Sequence, residues 1–234
     1  MKTRIWELDA FRGLCVLGMI AVHFVYDIVY LYGLVQWHLP EAFLFVQKWG
    51  GVLFLLLSGI CITLGSRSAR RGIIVLAAGL LVSAVTIVMH RFFAFHESVI
   101  IRFGVLHCLG ICMLLWPLFR KLPWWGLVAV GIPMVILGLW VSGIRIDISW
   151  LYPLGLKVEG FQSADYFPLL PNLGFFLLGA AIGRTAYRKK ASLLPDLSGN
   201  PIVRFFTFCG RQSLPIYLLH QPILSGIFYL ISIL

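Results

Sequence analysis

Residues 8–32 read LDAFRGLCVLGMIAVHFVYDIVYLY. The stretch is long enough for a membrane-spanning helix, which takes about 20 mostly apolar residues. It nevertheless carries four acidic or basic side chains, on Asp9, Arg12, His23 and Asp27. At about 100° per residue, the steps from Arg12 to His23 come to about 20° past three full turns, and Asp27 lies one turn later. One side of this helix is therefore polar and should face a bundle interior or a water-filled cavity, because lipid would not accept it.

The rest of the chain has the same apolar character. Of its 234 residues, 60% are hydrophobic and 12% are charged, against about 45–50% and about 25% in an average soluble domain. Soluble, disordered and disulfide-stapled secreted classes are therefore excluded. The apolar runs are continuous rather than alternating, which argues against a β-barrel. We predict an all-α polytopic membrane bundle of about seven transmembrane helices, formed by residues 1–234 as a single domain.

The apolar runs define the predicted spans. They are Gly13–Tyr32, Ala42–Leu64, Gly72–Met89, Ile100–Leu118, Trp124–Ser142, Pro171–Tyr187 and Ser213–Leu234. The N-terminal MKTRIWELD has a basic start but no small-residue cleavage site after it. We therefore interpret the first apolar run as a membrane span and not as part of a cleaved signal.

The net charge of +10 is explained by topology rather than by nucleic acid. With alternate loops assigned to alternate sides, the second side holds five of the 19 lysines and arginines: Lys48, Arg91, Arg102, Arg145 and Lys157. The remaining 14 lie on the side of the N-terminus. Cytoplasmic loops carry the excess of Lys and Arg, so we predict a cytoplasmic N-terminus, an outside C-terminus and a multi-pass protein of the inner (plasma) membrane.

The polar side of the first span suits proton abstraction. Histidine is the side chain that most often serves as a general base near neutral pH, so His23 is a candidate for that role. Asp27 could hold the tautomer of His23 and support its imidazolium, as the carboxylate of a catalytic triad does. The alternative is a buried His–Asp pair that only locks helices together, and the sequence leaves this alternative open.

Other polar groups are further candidates. His38 lies in the first outer loop, Arg102 and His107 open the fourth span on different faces, and His220 lies within the last span between two prolines. The histidines show no HExxH or comparable ligand spacing, so no metal site is expected. The five cysteines are interpreted as reduced packing residues.

Two loops are long. Gly143–Leu170, predicted outside, carries aromatic residues beside carboxylates, which suit either a sugar site or an interfacial aromatic belt, and we favour the belt. Thr185–Arg204, predicted in the cytoplasm, contains the basic run Arg188-Lys189-Lys190, for which a topological role is favoured over binding of anionic lipid or a nucleotide phosphate.

Four segments carry a resemblance. Leu8–Gly13 running into His23 resembles the opening of the heparan-α-glucosaminide N-acetyltransferase catalytic-domain family, and the Arg12-x10-His23 spacing resembles the wider acyltransferase-3 family. In order, Gly51–Gly59, Arg102–His107 and Gly210–His220 resemble the family's "F-x-x-x-S/M-G", "R-I-P-G-V-L-Q" and "G-x-x-S-x-x-x-Y-x-x-H" segments. Together the matches cover nearly the whole chain.

The resemblance implies transmembrane acyl transfer. An acetyl group would pass from cytoplasmic acetyl-CoA, the co-substrate, to a sugar or glycan amine or hydroxyl on the other side. It implies catalytic roles for His23, with Asp27, and for His38, which falls on the family's outer-loop histidine when counted back from Gly59. Residues in or near the matched segments are assigned to cofactor binding: Arg12, Arg102, His107, Arg211 and His220.

Several alternatives stay open at this point. Transfer could be direct or could pass through an acyl-histidine. A proton-coupled transporter or flippase of a small polar or glycan-type substrate could use the same polar helix side, although no internal repeat of the transporter kind is found. A structural membrane subunit is a third hypothesis, and a homodimer is left open.

Overall fold

The computed structural model describes residues 4–93 and 96–232. The chain is 73% helical, and no strand occurs in these residues. The helices are α1 Trp6–Tyr26, α2 Glu41–Leu64, α3 Ser68–Phe93, α4 Val105–Phe119, α5 Trp124–Val141, α6 Leu169–Thr185, α7 Pro201–Arg211 and α8 Ser213–Ser232. A π-helical segment, Asp27–Leu31, extends α1, and short 3₁₀ turns cover Glu97–Val99 and Ser149–Leu154. The all-α prediction is confirmed.

The helices have the lengths and surfaces of membrane spans. Within the described residues, four are long and apolar enough to cross a bilayer: α1 with its π-helical extension, α2, α3 and α5. The helices α4 and α6 are shorter and also apolar. Many large apolar side chains of the four long helices are exposed, as they would be on surfaces that face lipid tails. The chain is a multi-pass membrane protein, whereas the count of seven spans and the orientation stay predictions.

The chain divides into two compact units. Unit 1 contains Met1–Phe54 and Lys190–Leu234, and unit 2 contains Leu55–Lys189, so that the boundary falls within α2. The prediction of a single domain over 1–234 stays a prediction.

Unit 1 is built on close contact between α1 and α7. A Cβ on Gly13 would collide with the carbonyl oxygen of Phe206, and a Cβ on Gly210 would collide with the carbonyl oxygen of Asp9. Only glycine allows two helix backbones to approach this closely. The helix α8 packs against the far end of α1, where the rings of Phe24 and Phe228 lie 5.4 Å apart.

Unit 2 pairs α3 with α4 and α5 with α6. The loop Gly143–Leu170 caps the start of α4, since Asp165 Oδ2 accepts a hydrogen bond from the backbone N–H of Val105 at 2.9 Å. At the other end, Arg184 donates to the carbonyl oxygens of Arg120 and Leu122. Both contacts satisfy backbone groups that a helix end leaves without a partner.

The largest departures from the predicted boundaries are at the starts of α1 and α4 and at α7. Helix α1 begins at Trp6, before the predicted Gly13. Helix α4 begins at Val105, because residues 100–103 instead bond to the loop Gly143–Leu170 through Ala164 and Phe167. Helix α7 was not predicted, and it overlaps the end of the predicted loop Thr185–Arg204. Helix α7 is amphipathic, and its polar residues interrupt the apolar ones in the sequence, so it shows no continuous apolar run. Residues 233–234 of the last predicted span and Met1–Thr3 lie outside the described residues.

Candidate functional site

A cluster of charged groups lies at the start of α1 in unit 1. The carboxylate of Asp9, 9% exposed, accepts from Arg12 at 3.1 Å and from Nε of Arg211 at 3.4 Å. Arg4 approaches the same carboxylate at 3.9 Å. The close packing of α7 on α1 brings Arg211 to this point. Because three guanidinium groups share one carboxylate, these four residues keep a net positive charge, which suits an anionic ligand.

Two histidines meet further along α1. The ring centroids of His23 on α1 and His220 on α8 are 4.9 Å apart, with the rings inclined at 72°. His23 lies about 16 Å from Arg12 along the helix axis, since each residue adds about 1.5 Å. The last-span histidine is therefore a direct neighbour of the first-span histidine, a contact that sequence spacing did not predict.

Backbone carbonyls fix the tautomer of both histidines. Nδ1 of His23 bonds to the carbonyl oxygen of Met19 at 2.9 Å, and Nδ1 of His220 bonds to that of Tyr217 at 2.5 Å. A carbonyl oxygen only accepts, so each Nδ1 carries the proton and each neutral ring keeps its lone pair on Nε2. Nε2 of His220 is buried and has no hydrogen-bond partner in the described part of the chain. Both rings can thus accept a proton at Nε2.

Asp27 makes a different contact from the one expected. The sequence predicted that Asp27 orients His23, but the carbonyl of Met19 holds Nδ1 of that ring. Asp27 is 1% exposed and accepts from Nε2 of Gln221 at 2.9 Å. It begins the π-helical segment, and such segments occur often at functional sites. Its support of an imidazolium on His23 stays a prediction.

The remaining candidates have other surroundings. His38 is exposed, and none of the described hydrogen bonds connects it to the histidine pair. In unit 2, Arg102 donates to Glu97 at 2.5 Å and to the carbonyl of Gln162 at 3.2 Å. The ring of His107, 4% exposed, accepts from the N–H of Gly104 through Nδ1 at 3.2 Å, while its Nε2 lies 3.3 Å from Ser83 Oγ. Both nitrogens of His107 are therefore engaged. The cofactor-binding predictions for Arg102 and His107 stay predictions.

The loop Gly143–Leu170 of unit 2 folds around its own aromatic residues. The ring centroid of Phe161 lies 5.5 Å from that of Tyr152 and 5.0 Å from that of Tyr166. Nζ of Lys157 lies over the ring of Tyr166, 4.6 Å from its centroid. The hydroxyl of Tyr166 donates to the carbonyl oxygen of Tyr152 at 2.7 Å. Burial raises the pKa of Tyr166. Burial, and then the charge of Arg145, lowers the pKa of Lys157. These rings form a small core of the loop, and Trp150 is left 73% exposed.

The comparison with known families decides the classification. The family model described as heparan-alpha-glucosaminide N-acetyltransferase, catalytic, matches residues 4–222. The chain belongs to this family. The resemblance inferred from the four segments is thereby confirmed. Neither a curated protein nor a solved structure matches the chain.

Membership in the heparan-alpha-glucosaminide N-acetyltransferase catalytic family supports an acetyltransferase activity for this membrane protein. The matched range includes both the start of α1 and His220 on α8, so the whole polar side of unit 1 lies within the family domain.

Sequence reasoning missed Gln221 in this family member. Its side chain connects α8 to Asp27, and its Oε1 is buried without a hydrogen-bond partner among the described residues. The available signal was the polar pair His220-Gln221 within an otherwise apolar helix. A second amide or imidazole beside a candidate histidine is costly in a membrane, and such residues are usually functional.

Proposed function

We propose that this protein is a membrane-bound, acyl-CoA-dependent acetyltransferase of the inner membrane, which passes an acetyl group to a sugar amine or hydroxyl on the extracytoplasmic side. One observation carries the proposal. Along α1, the positive cluster of Arg4, Asp9, Arg12 and Arg211 is followed, about 16 Å further on, by two neighbouring histidines whose Nδ1 atoms are held by backbone carbonyls. An anionic donor and a proton-bearing acceptor would find matching groups at the two places.

The donor would bind at the positive cluster. The phosphates of acetyl-CoA are anionic, and guanidinium groups bind phosphate through paired hydrogen bonds. With the N-terminus in the cytoplasm, as the charge bias predicts, Arg12 and Arg211 lie on the cytoplasmic side. The pantetheine arm would then extend along α1 towards the histidines. Asp9 orients the two guanidinium groups and prevents them from repelling each other.

The acceptor would be activated by His23. Its Nε2 lone pair takes the proton of the acceptor's N–H or O–H as the acceptor attacks the thioester carbonyl, and CoA leaves as the thiol after protonation of its sulfur. The carbonyl of Met19 keeps the ring in the tautomer that this role needs. Direct transfer requires no covalent enzyme intermediate and is the simpler route, while an acyl-histidine is the alternative. His38 stays a predicted rival base.

The proposal is tested with the full-length protein in lipid nanodiscs, acetyl-CoA as donor and glucosamine as acceptor probe. We expect CoA release that depends on the acceptor, and a KM for acetyl-CoA that rises in Arg211→Gln. Arg204→Gln is the matched control, because Arg204 is an exposed arginine on the same helix and is outside the positive cluster. Wild-type protein that neither binds acetyl-CoA nor releases CoA would refute the proposal.

A transporter is the second candidate, and the contact between His23 and His220 is the observation that favours it, because adjacent imidazoles can relay protons. This candidate expects proton flux driven by a polar or glycan-type substrate in proteoliposomes that contain no CoA. Flux under those conditions, together with absent CoA release, would replace the enzyme by the transporter.

A further inference from the structure

His220 differs from an ordinary buried histidine. It is 8% exposed, its Nδ1 is held by the carbonyl of Tyr217, and its Nε2 has no hydrogen-bond partner among the described residues. Leaving a buried polar atom without a partner is unfavourable, and the exceptions call for an explanation. A histidine retained only for helix packing would be expected to use both of its nitrogens.

The neighbours of His220 point to shared protons. The centroid of its ring lies 4.9 Å from that of His23, so the two imidazoles are direct neighbours and a proton on one ring acts electrostatically on the other. The titratable groups described against the pair are Asp27, which begins the π-helical segment, and Tyr217, whose ring lies 5.5 Å from that of His220. Asp27 is tied to the pair by Gln221, the next residue after His220. A single carboxylate balances one imidazolium, and a second positive charge in the same place would be unbalanced.

We propose that His23 and His220 are a catalytic pair that holds one proton, so that one ring acts as base while the other acts as acid. This inference rests on the proposed acetyl transfer and assigns His220 to proton transfer instead of to cofactor binding. Asp27 is the counter-ion of the protonated ring, and Gln221 is a positioning residue that keeps Asp27 beside the pair.

The proton held by the pair is used once and restored in each turnover. The neutral ring takes a proton at Nε2 from the acceptor's N–H or O–H while the new C–N or C–O bond forms at the thioester carbonyl. The protonated ring gives its Nε2 proton to the sulfur as the C–S bond breaks, which yields the acetyl amide or ester and the free thiol of CoA. Transfer of one proton from the first ring to the second then restores the pair. The Nδ1 protons remain hydrogen-bonded to the carbonyls of Met19 and Tyr217 throughout.

The first test does not depend on activity. Full-length protein with ¹⁵N-labelled histidine is titrated in nanodiscs, and the imidazole signals are compared among wild type, His23→Gln and His220→Gln. We expect the pair to titrate in two separate steps, since interacting sites lose their protons in macroscopic steps, and the remaining ring to titrate in one step when its partner is replaced. His96→Gln is the control, because His96 is exposed in the outer turn beside Ser98. A titration of His23 that is identical with and without His220 would overturn the pair.

The second test is the pH profile of CoA release from acetyl-CoA with glucosamine. The wild type should give a bell-shaped profile, because the rate requires one neutral and one protonated ring. His220→Gln should lower kcat on the order of 100-fold and remove the alkaline fall, as expected when one positioned acid is lost. A His220→Gln enzyme with wild-type kcat and an unchanged alkaline limb would refute the inference. Wild-type protein without CoA release would refute the proposed function, while the titration would still decide whether the histidines are coupled.

Discussion

His107 in unit 2 and His220 in unit 1 are both buried histidines within apolar helices, yet their ring nitrogens have opposite surroundings. His107 accepts from the N–H of Gly104 and contacts Ser83, so it completes the cap of α4. His220 donates through Nδ1 to a carbonyl and leaves Nε2 without a described partner. Burial is therefore not what distinguishes a candidate catalytic histidine here. The distinguishing feature is a nitrogen that the fold does not use.

The largest effect on activity should come from replacing His23, the proposed general base. His23→Gln should lower kcat for CoA release about 10²–10⁴-fold, the usual contribution of a positioned general base. The close contact of α1 with α7 is made at Gly13 and Gly210 and away from His23, so thermal unfolding should change less than kcat does, by the loss of one ring contact with His220.

The control for this variant is His96→Gln, which replaces an exposed histidine beside the 3₁₀ turn Glu97–Val99. A His23→Gln enzyme that keeps at least a tenth of the wild-type kcat would move the catalytic role elsewhere. His38→Gln, measured in the same assay, would then decide whether the outer-loop histidine is the base.

The second largest effect concerns stability in unit 1. Gly13→Ala places a methyl group against the carbonyl of Phe206, a backbone atom that cannot rotate away. We expect a loss of about 3 kcal/mol or more of unfolding free energy, the upper end of the range for overpacked sites. Unfolding in detergent by heat or by added denaturing surfactant measures it.

Gly18→Ala is the matched control on the same helix, because a Cβ on Gly18 meets nothing within 4 Å. It should be neutral or should stabilise α1 by about 0.5–1 kcal/mol, since alanine favours helix more than glycine does. Equal effects of the two substitutions would contradict the close contact between α1 and α7.

His107→Leu should have a smaller effect on stability than Gly13→Ala. It leaves the N–H of Gly104 without its acceptor inside the protein, at a cost of about 1–3 kcal/mol. Thermal unfolding measures this loss, and the exposed His96→Leu should stay within about 0.5 kcal/mol of wild type. A raised KM for acetyl-CoA without any loss of stability would instead support the predicted cofactor role of His107.

The sequence could predict the helices that consist of continuous apolar runs better than it could predict α7. Continuous apolar runs predicted the apolar helices, because lipid imposes length and composition on a span. They did not predict α7, whose two-faced character gives no such run, although Asn200 before Pro201 is the pattern of a helix start and its side chain accepts from the N–H groups of Ile202 and Val203.

The polar side of α1 was predicted for a related reason. Helical spacing relates residues of one helix, so Arg12, His23 and Asp27 could be placed together from the sequence. It contains no information on pairing between helices, so the contacts of His23 with His220, of Asp27 with Gln221 and of Asp9 with Arg211 became visible only in the structure. The tautomers likewise depend on carbonyl positions that no residue pattern encodes.

The smallest effect is expected at Lys157 in unit 2, whose ammonium group lies over the ring of Tyr166. Burial and the charge of Arg145 lower the pKa of Lys157, so the folded loop binds this proton more weakly than the unfolded chain does. Between the folded and the unfolded pKa, the unfolded state holds more protons than the folded state. The stability of the loop should therefore rise with pH in that range and fall as the pH drops through the folded pKa.

NMR titration of ¹³C-dimethylated lysines measures the pKa of Lys157, with Lys157→Arg identifying the signal. Arg145→Gln should move the pKa only part of the way back, because burial is the larger cause. A full return to the ordinary lysine value in Arg145→Gln would show that charge, not the aromatic surroundings, controls this residue.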